Sequence, residues 1–109
     1  MTKESVLKRL DSTGIPREED YAVPINGASK KLPYMVVRTT EAIEGADLGR
    51  VQFLKTEWTV ALFTVNRDDA LEAIICKALS SVGRVEITRF PDGKPYQTNF
   101  EFTTRQTMK

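Results

Sequence analysis

Across residues 51–82 the hydrophobic period changes from two to 3.6, and no other feature of the chain limits its fold so tightly. In VQFLKTEWTVALFTV, residues 51–65, Trp58, Val60 and Leu62 fall on one face and Ala61, Phe63 and Val65 on the other, so the second half is apolar on both sides. A strand of this kind belongs in the middle of a sheet, covered at least in part on both faces. Directly afterwards Leu71, Ile74, Ile75, Ala78, Leu79 and Val82 recur at the spacing of an amphipathic helix. Asn66 is placed to cap that helix, Asp68 and Asp69 put anions where the macrodipole favours them, and Gly83 follows the last apolar position as a C′ residue should.

The flanking segments add to this strand-to-helix unit. Val6, Leu7 and Leu10 form one side of a short first helix over residues 3–10, with Thr2 as N-cap and Gly14 and Pro16 closing it. Residues 15–32 carry proline and glycine among charges and read mostly as loop, with Tyr21, Val23 and Ile25 able to form a brief edge strand. PYMVVRT, residues 33–39, is dense in β-branched and aromatic side chains and reads as a strand starting after its proline. TEAIEGADLGR, residues 40–50, holds two glycines and four charges and reads as a long connecting loop or a hairpin tip. After the second helix a strand through Val85 and Ile87 leads into FPDGKP, a tight reversal. The reversal delivers KPYQTNFEFTT as the last strand, with Tyr96, Thr98, Phe100 and Phe102 on one face and Gln97, Asn99, Glu101 and Thr103 on the other.

This order predicts one domain over residues 1–109, an α+β two-layer sandwich. An antiparallel sheet of about four strands carries two helices packed on one face. At 109 residues such a chain buries roughly 65% of its unfolded surface, enough for one core without staples. The single cysteine, Cys76, rules out an internal disulfide; the composition fits a reducing cytoplasm and would equally suit a secreted protein held by packing alone. No apolar run approaches the ~18 residues of a membrane helix, and the N-terminus has no apolar region of a signal peptide, so neither a membrane partner nor targeting is expected.

The net charge is +1, from sixteen Lys plus Arg against fifteen Asp plus Glu, with no long block of one sign. Nothing here advertises specific nucleic-acid binding. Histidine is absent, which removes the commonest general base and the commonest metal ligand together.

The remaining constellations read as structure. The carboxylates cluster as Glu18, Glu19 and Asp20, as Glu41, Glu44 and Asp47, and as Asp68 and Asp69, in segments where solvation or capping accounts for them. Cys76 lies at the flank of the helical stripe and reads as a small half-buried hydrophobe, and Trp58 shares its face with Val60 and Leu62 as a core residue. Lys30-Lys31 is a lone basic pair, and no glycine-rich loop precedes a helix. No catalytic, cofactor-binding or metal-binding residue is expected, and the chain does not read as an enzyme. What is left is surface: the polar face of the last strand and the length of residues 40–50.

LPYMVV, then ADLG, then TEWTVALFTVNRDDALEAIICKALS, then a glycine-bounded strand and KPYQTNFEF resemble, in order and spacing, the small tail components of tailed bacteriophages and prophages, especially those of Gram-positive hosts. The resemblance runs from about Ile15 to Thr103, and PREEDYAVPINGASKKLPY adds to it a loop ending in a Leu-Pro-Tyr strand start. It implies a tail terminator or tail completion protein, a structural protein of virion assembly found in the virion tail and put together in the bacterial cytoplasm. Such α+β domains close into hexameric rings at the head-proximal end of the tail, stop polymerisation of the tail tube and dock on the head-side connector. The implied partners are copies of itself, the tail-tube protein and the connector protein, with DNA passing through the ring and no cofactor. The resemblance further implies that residues 40–50 face the tube, with Glu41, Glu44, Asp47 and Arg50 as candidate contacts and Asp47 at the matching aspartate. Gln97, Asn99, Glu101 and Thr103 are the candidate subunit interface, since polar sheet faces and strand edges suit assembly from soluble subunits. Two alternatives stay open, a head-to-tail joining protein of the same fold and a monomeric binding module unrelated to phages.

Overall fold

A computed structural model of the chain describes residues 2–19, 32–45, 52–93 and 95–108. In chain order the elements are α1 (Lys3–Asp11), β1 (Arg17–Glu19), β2 (Tyr34–Gly45), β3 (Gln52–Thr64), α2 (Asp69–Ala78), β4 (Glu86–Phe90) and β5 (Tyr96–Met108). The strands form one sheet in the order β1-β2-β3-β5-β4. The four strands β2, β3, β5 and β4 pair antiparallel, and the short β1 joins β2 in parallel. This is the small α+β fold that the periodicities predict, with β3 in the centre.

Both helices start as their sequences direct, with one shift. Ser5 N–H donates to Thr2 Oγ1 at 3.1 Å, so Thr2 caps α1. At α2 the cap is Asp68, whose Oδ1 accepts from Leu71 N–H at 3.0 Å, and Asn66 lies outside the helix. A carboxylate at the cap satisfies an orphan N–H and meets the positive end of the dipole at once, which an amide two residues earlier cannot do. α2 also stops earlier than its stripe suggests, at Ala78, and Gly83 sits in the following turn at φ +96°. That positive φ favours glycine.

The core lies against one face of the sheet, the inner face. Alternate residues of the strands point into it: Met35 and Val37 of β2, Trp58, Val60 and Leu62 of β3, Phe100 and Phe102 of β5. Val6 and Leu10 of α1 and Ile75 and Leu79 of α2 belong to the same buried cluster. The Trp58 and Phe102 rings, directly opposite across the β3–β5 ladder, stack 5.6 Å apart at 8°. The indole N–H of Trp58 donates to Thr104 Oγ1 at 2.9 Å, which settles its one polar atom in the interior. The other half of β3 is covered on its second side as well: Ala61 is buried there, beside Tyr34 and Val36, and Phe63 stacks on Tyr34 at 5.0 Å. Ile74 departs from the predicted stripe and is 42% exposed.

Two sequence expectations are corrected by the sheet. Residues 40–45 are not loop: they continue β2, paired residue for residue with 57–52 of β3. Glu, Ala and Gly are poor strand formers by themselves, but here a fully formed partner strand takes up their backbone groups. The second correction is β1, where Arg17, Glu18 and Glu19 align with Met35, Val36 and Val37, anchored by Met35 N–H donating to the Pro16 carbonyl at 2.9 Å. The edge strand expected at Tyr21, Val23 and Ile25 lies outside the described residues.

Candidate functional site

β3 and β5 pair over thirteen residues each, from Gln52 opposite Met108 to Thr64 opposite Tyr96. The buried cluster reaches only the half that ends near Trp58 and Phe102. Beyond it β2, β3 and β5 run on as a three-stranded arm, consistent with a longest dimension of 51 Å. Its far end exposes Ile43 and Phe53.

The candidate interface residues share one surface. Thr98, Phe100, Phe102 and Thr104 are buried on the inner face, so Gln97, Asn99, Glu101 and Thr103 line the outer one. Gln97 Nε2–H donates to Asn99 Oδ1 at 2.8 Å. Glu101 lies opposite Thr59 on one side and Glu86 on the other. Like charges directly opposite repel, and Arg84 answers only Glu86, at 3.2 Å. Among the described residues Glu101 has no ion pair or side-chain hydrogen bond.

The candidate loop residues do not form one surface. Glu41, on the inner face, lies 3.9 Å from Lys3 Nζ of α1. Glu44, on the outer face, accepts from Arg105 Nε at 2.9 Å and lies 4.0 Å from Lys55 Nζ, which is also 3.5 Å from Glu57. This network ties β2, β3 and β5 together at the arm. Asp47 and Arg50 lie outside the described residues.

A shallow groove of about 650 Å³ runs along the outer face beside this network, lined among others by Arg38, Glu57, Arg84, Glu86, Glu101 and Arg105. Its charges alternate in sign, so it presents no concentrated potential to a polyanion. Sequence reasoning missed Arg38, Arg84 and Glu86 because Arg38 and the Arg84–Glu86 pair come from two distant segments brought to one groove only by the register of the sheet.

On the inner side Glu72 of α2 is a buried carboxylate. Arg89 of β4 donates to it through Nη2 at 2.7 Å and Nε at 3.2 Å, and Thr98 Oγ1 donates at 3.2 Å. The hydrogen bond to Glu72 raises Arg89 above its ordinary pKa. Burial, and then the negative charge of Glu72, push the Cys76 thiol up, so it is a poor nucleophile at neutral pH. These hydrogen bonds tie β4 and β5 to α2.

Among the described residues no three His, Cys, Asp or Glu side chains converge as metal ligands, and no helix is long and apolar enough to cross a membrane. No protein-family model matches the chain, and no curated protein is detectably similar to it.

Proposed function

We propose that the chain is a structural subunit of a phage or prophage tail. Six copies close into a ring at the head-proximal end, stop the tail tube from growing and help join tail to head. The observation that supports this reading is the sheet continuing past its buried cluster: a three-stranded arm whose outer side carries charges and whose far end exposes Ile43 and Phe53, joined to an outer face of amides and hydroxyls. An antiparallel sheet tolerates one wet face, but a subunit that only had to fold would gain nothing from an arm beyond its core. In a ring the arm and the outer face are contact area. A ring of identical subunits needs two different patches that match head to tail, and the exposed side of a helix together with the polar outer face of β5 offers two such patches. The element order also carries the resemblance to tail terminators noted in the sequence.

The test is the solution mass by light scattering over a concentration series, followed by electron microscopy and by the length of tail tubes assembled with the protein present. A hexamer with a central hole that caps the tubes is the expected result. A chain that stays monomeric and leaves tube length unchanged overturns the reading.

A further inference from the structure

Resting on the ring reading above, we infer that the contact between neighbouring copies is made by the exposed face of α2 on one copy and the outer sheet face around Glu101 on the next. Ala70, Ala73, Ile74 and Lys77 are all exposed, while Ile75 and Leu79 face the core. A helix bathed in water ordinarily turns charges outward, and α1 does so with Glu4, Lys8 and Asp11. After Asp69 in its first turn, α2 turns out two alanines, an isoleucine and one lysine. An exposed helix face with three apolar residues against one lysine beyond its first turn has apolar surface that a neighbour can cover.

The sheet offers the matching surface. Around Glu101 its outer face forms the shallow groove, where Thr59 and Thr103 are the short side chains among the longer Arg38, Glu57, Arg84, Glu86 and Arg105, and a helix face with two alanines can enter it closely. A neighbour's helix there covers the part of the outer face around Glu101, which is open while Tyr34, Val36 and Ala61 on the same face are buried. The charges are complementary. Lys77 has no ion pair among the described residues, and Glu101 has none either while facing Glu86 across the ladder. A lysine brought in by the neighbour supplies Glu101 with the cation that the subunit itself does not. The two patches lie on opposite layers, so the contact is heterologous and suited to closing a ring rather than making an isolated dimer.

Charge reversal on the full-length chain tests this. Lys77→Glu and Glu101→Lys are made singly, mixed with each other, and combined in one chain, with circular dichroism to confirm folding and light scattering to read mass. Each single variant is expected to raise the concentration for half-assembly at least about ten-fold. The double variant is expected to recover it, because every contact then holds the same pair of charges with the signs exchanged. The one-to-one mixture of single variants is expected to recover it too: when the two alternate around the ring, one contact carries the exchanged pair and the next the original Lys77 and Glu101. A wild type that forms rings while both folded single variants assemble unchanged overturns this contact and leaves the ring. A wild type monomeric at every concentration overturns the contact together with self-assembly in solution. Ala73→Trp gives a second reading at the centre of the helix face, where an unchanged assembly also counts against the contact.

Discussion

Arg105 Nε donates to the Glu44 carboxylate at 2.9 Å across 61 residues of sequence and across the whole width of β3. With Lys55 and Glu57 the pair forms a four-residue network on a part of the sheet that has no buried core beneath it. Both side chains are about half exposed, 54% and 44%, so screening keeps the energy small. Glu44→Gln is expected to cost under ~1 kcal/mol in urea unfolding, with the loss shrinking further at high salt. A loss of several kcal/mol would mean that the arm folds as part of the core.

Glu72 and Arg89 present the opposite case. The carboxylate is only 6% exposed and has Arg89 and Thr98 as its partners. Arg89→Met leaves that charge buried with one hydroxyl donor, and is expected to cost about 3 kcal/mol. The double variant Glu72→Met with Arg89→Met is expected to be much milder, since two apolar side chains of similar volume replace two desolvated charges. Denaturant unfolding of the single and double variants beside wild type reads the cycle, and additive losses would contradict the coupling.

Trp58 fills the centre of the inner face, with Phe102 stacked on it and Thr104 accepting its N–H. Trp58→Ala is expected to destabilise by ~3–5 kcal/mol through the cavity it opens. Trp58→Phe keeps much of the ring area but loses the hydrogen bond, and is expected to fall well below that. Equal losses for the two would show that the hydrogen bond, not the volume, dominates.

Asp11 ties the end of α1 to β1: Arg17 donates to its carboxylate through Nε at 2.7 Å and Nη2 at 3.2 Å. The hydrogen bond from Arg17 holds the Asp11 carboxyl below its ordinary value. A lowered folded pKa means that the unfolded chain binds the proton more readily. The contribution is therefore whole above the unfolded value of ~3.9 and disappears as pH falls through the lower folded value. Asp11 itself is 55% exposed, so screening keeps the effect under ~1 kcal/mol. Thermal unfolding of Asp11→Asn is expected to match wild type in strong acid and fall slightly below it at neutral pH; the reverse order would contradict the assignment.

Much of this was legible in the chain. The period of two in β3 and β5 and the period of 3.6 in α2 identify which side chains are inside, because burial of one face of a strand or helix imposes those repeats regardless of what the element packs against. Thr2 as a cap, the central place of β3 and the polar outer face of β5 follow from the same local rules. Composition misled where a partner strand did the stabilising: residues 40–45 look like a loop and are strand, because their hydrogen bonds go to residues 52–57 and to nothing within reach along the chain.

The candidate surfaces divide along the same line. Gln97, Asn99, Glu101 and Thr103 were bound to share a face once β5 was a strand, since alternate residues of a strand point the same way. Glu41 and Glu44, three residues apart in that strand, were equally bound to lie on opposite faces, and only the continuation of β2 through them revealed it. The opposition of Glu101 and Glu86 depends on the register of the β4–β5 hairpin, and the groove between several strands and the pairing of Glu44 with Arg105 depend on register between strands far apart in sequence. Local sequence sets the period of each strand, whereas register is decided by the whole sheet settling over one core, where a slip by a single residue would turn Trp58, Phe100 and Phe102 out into water.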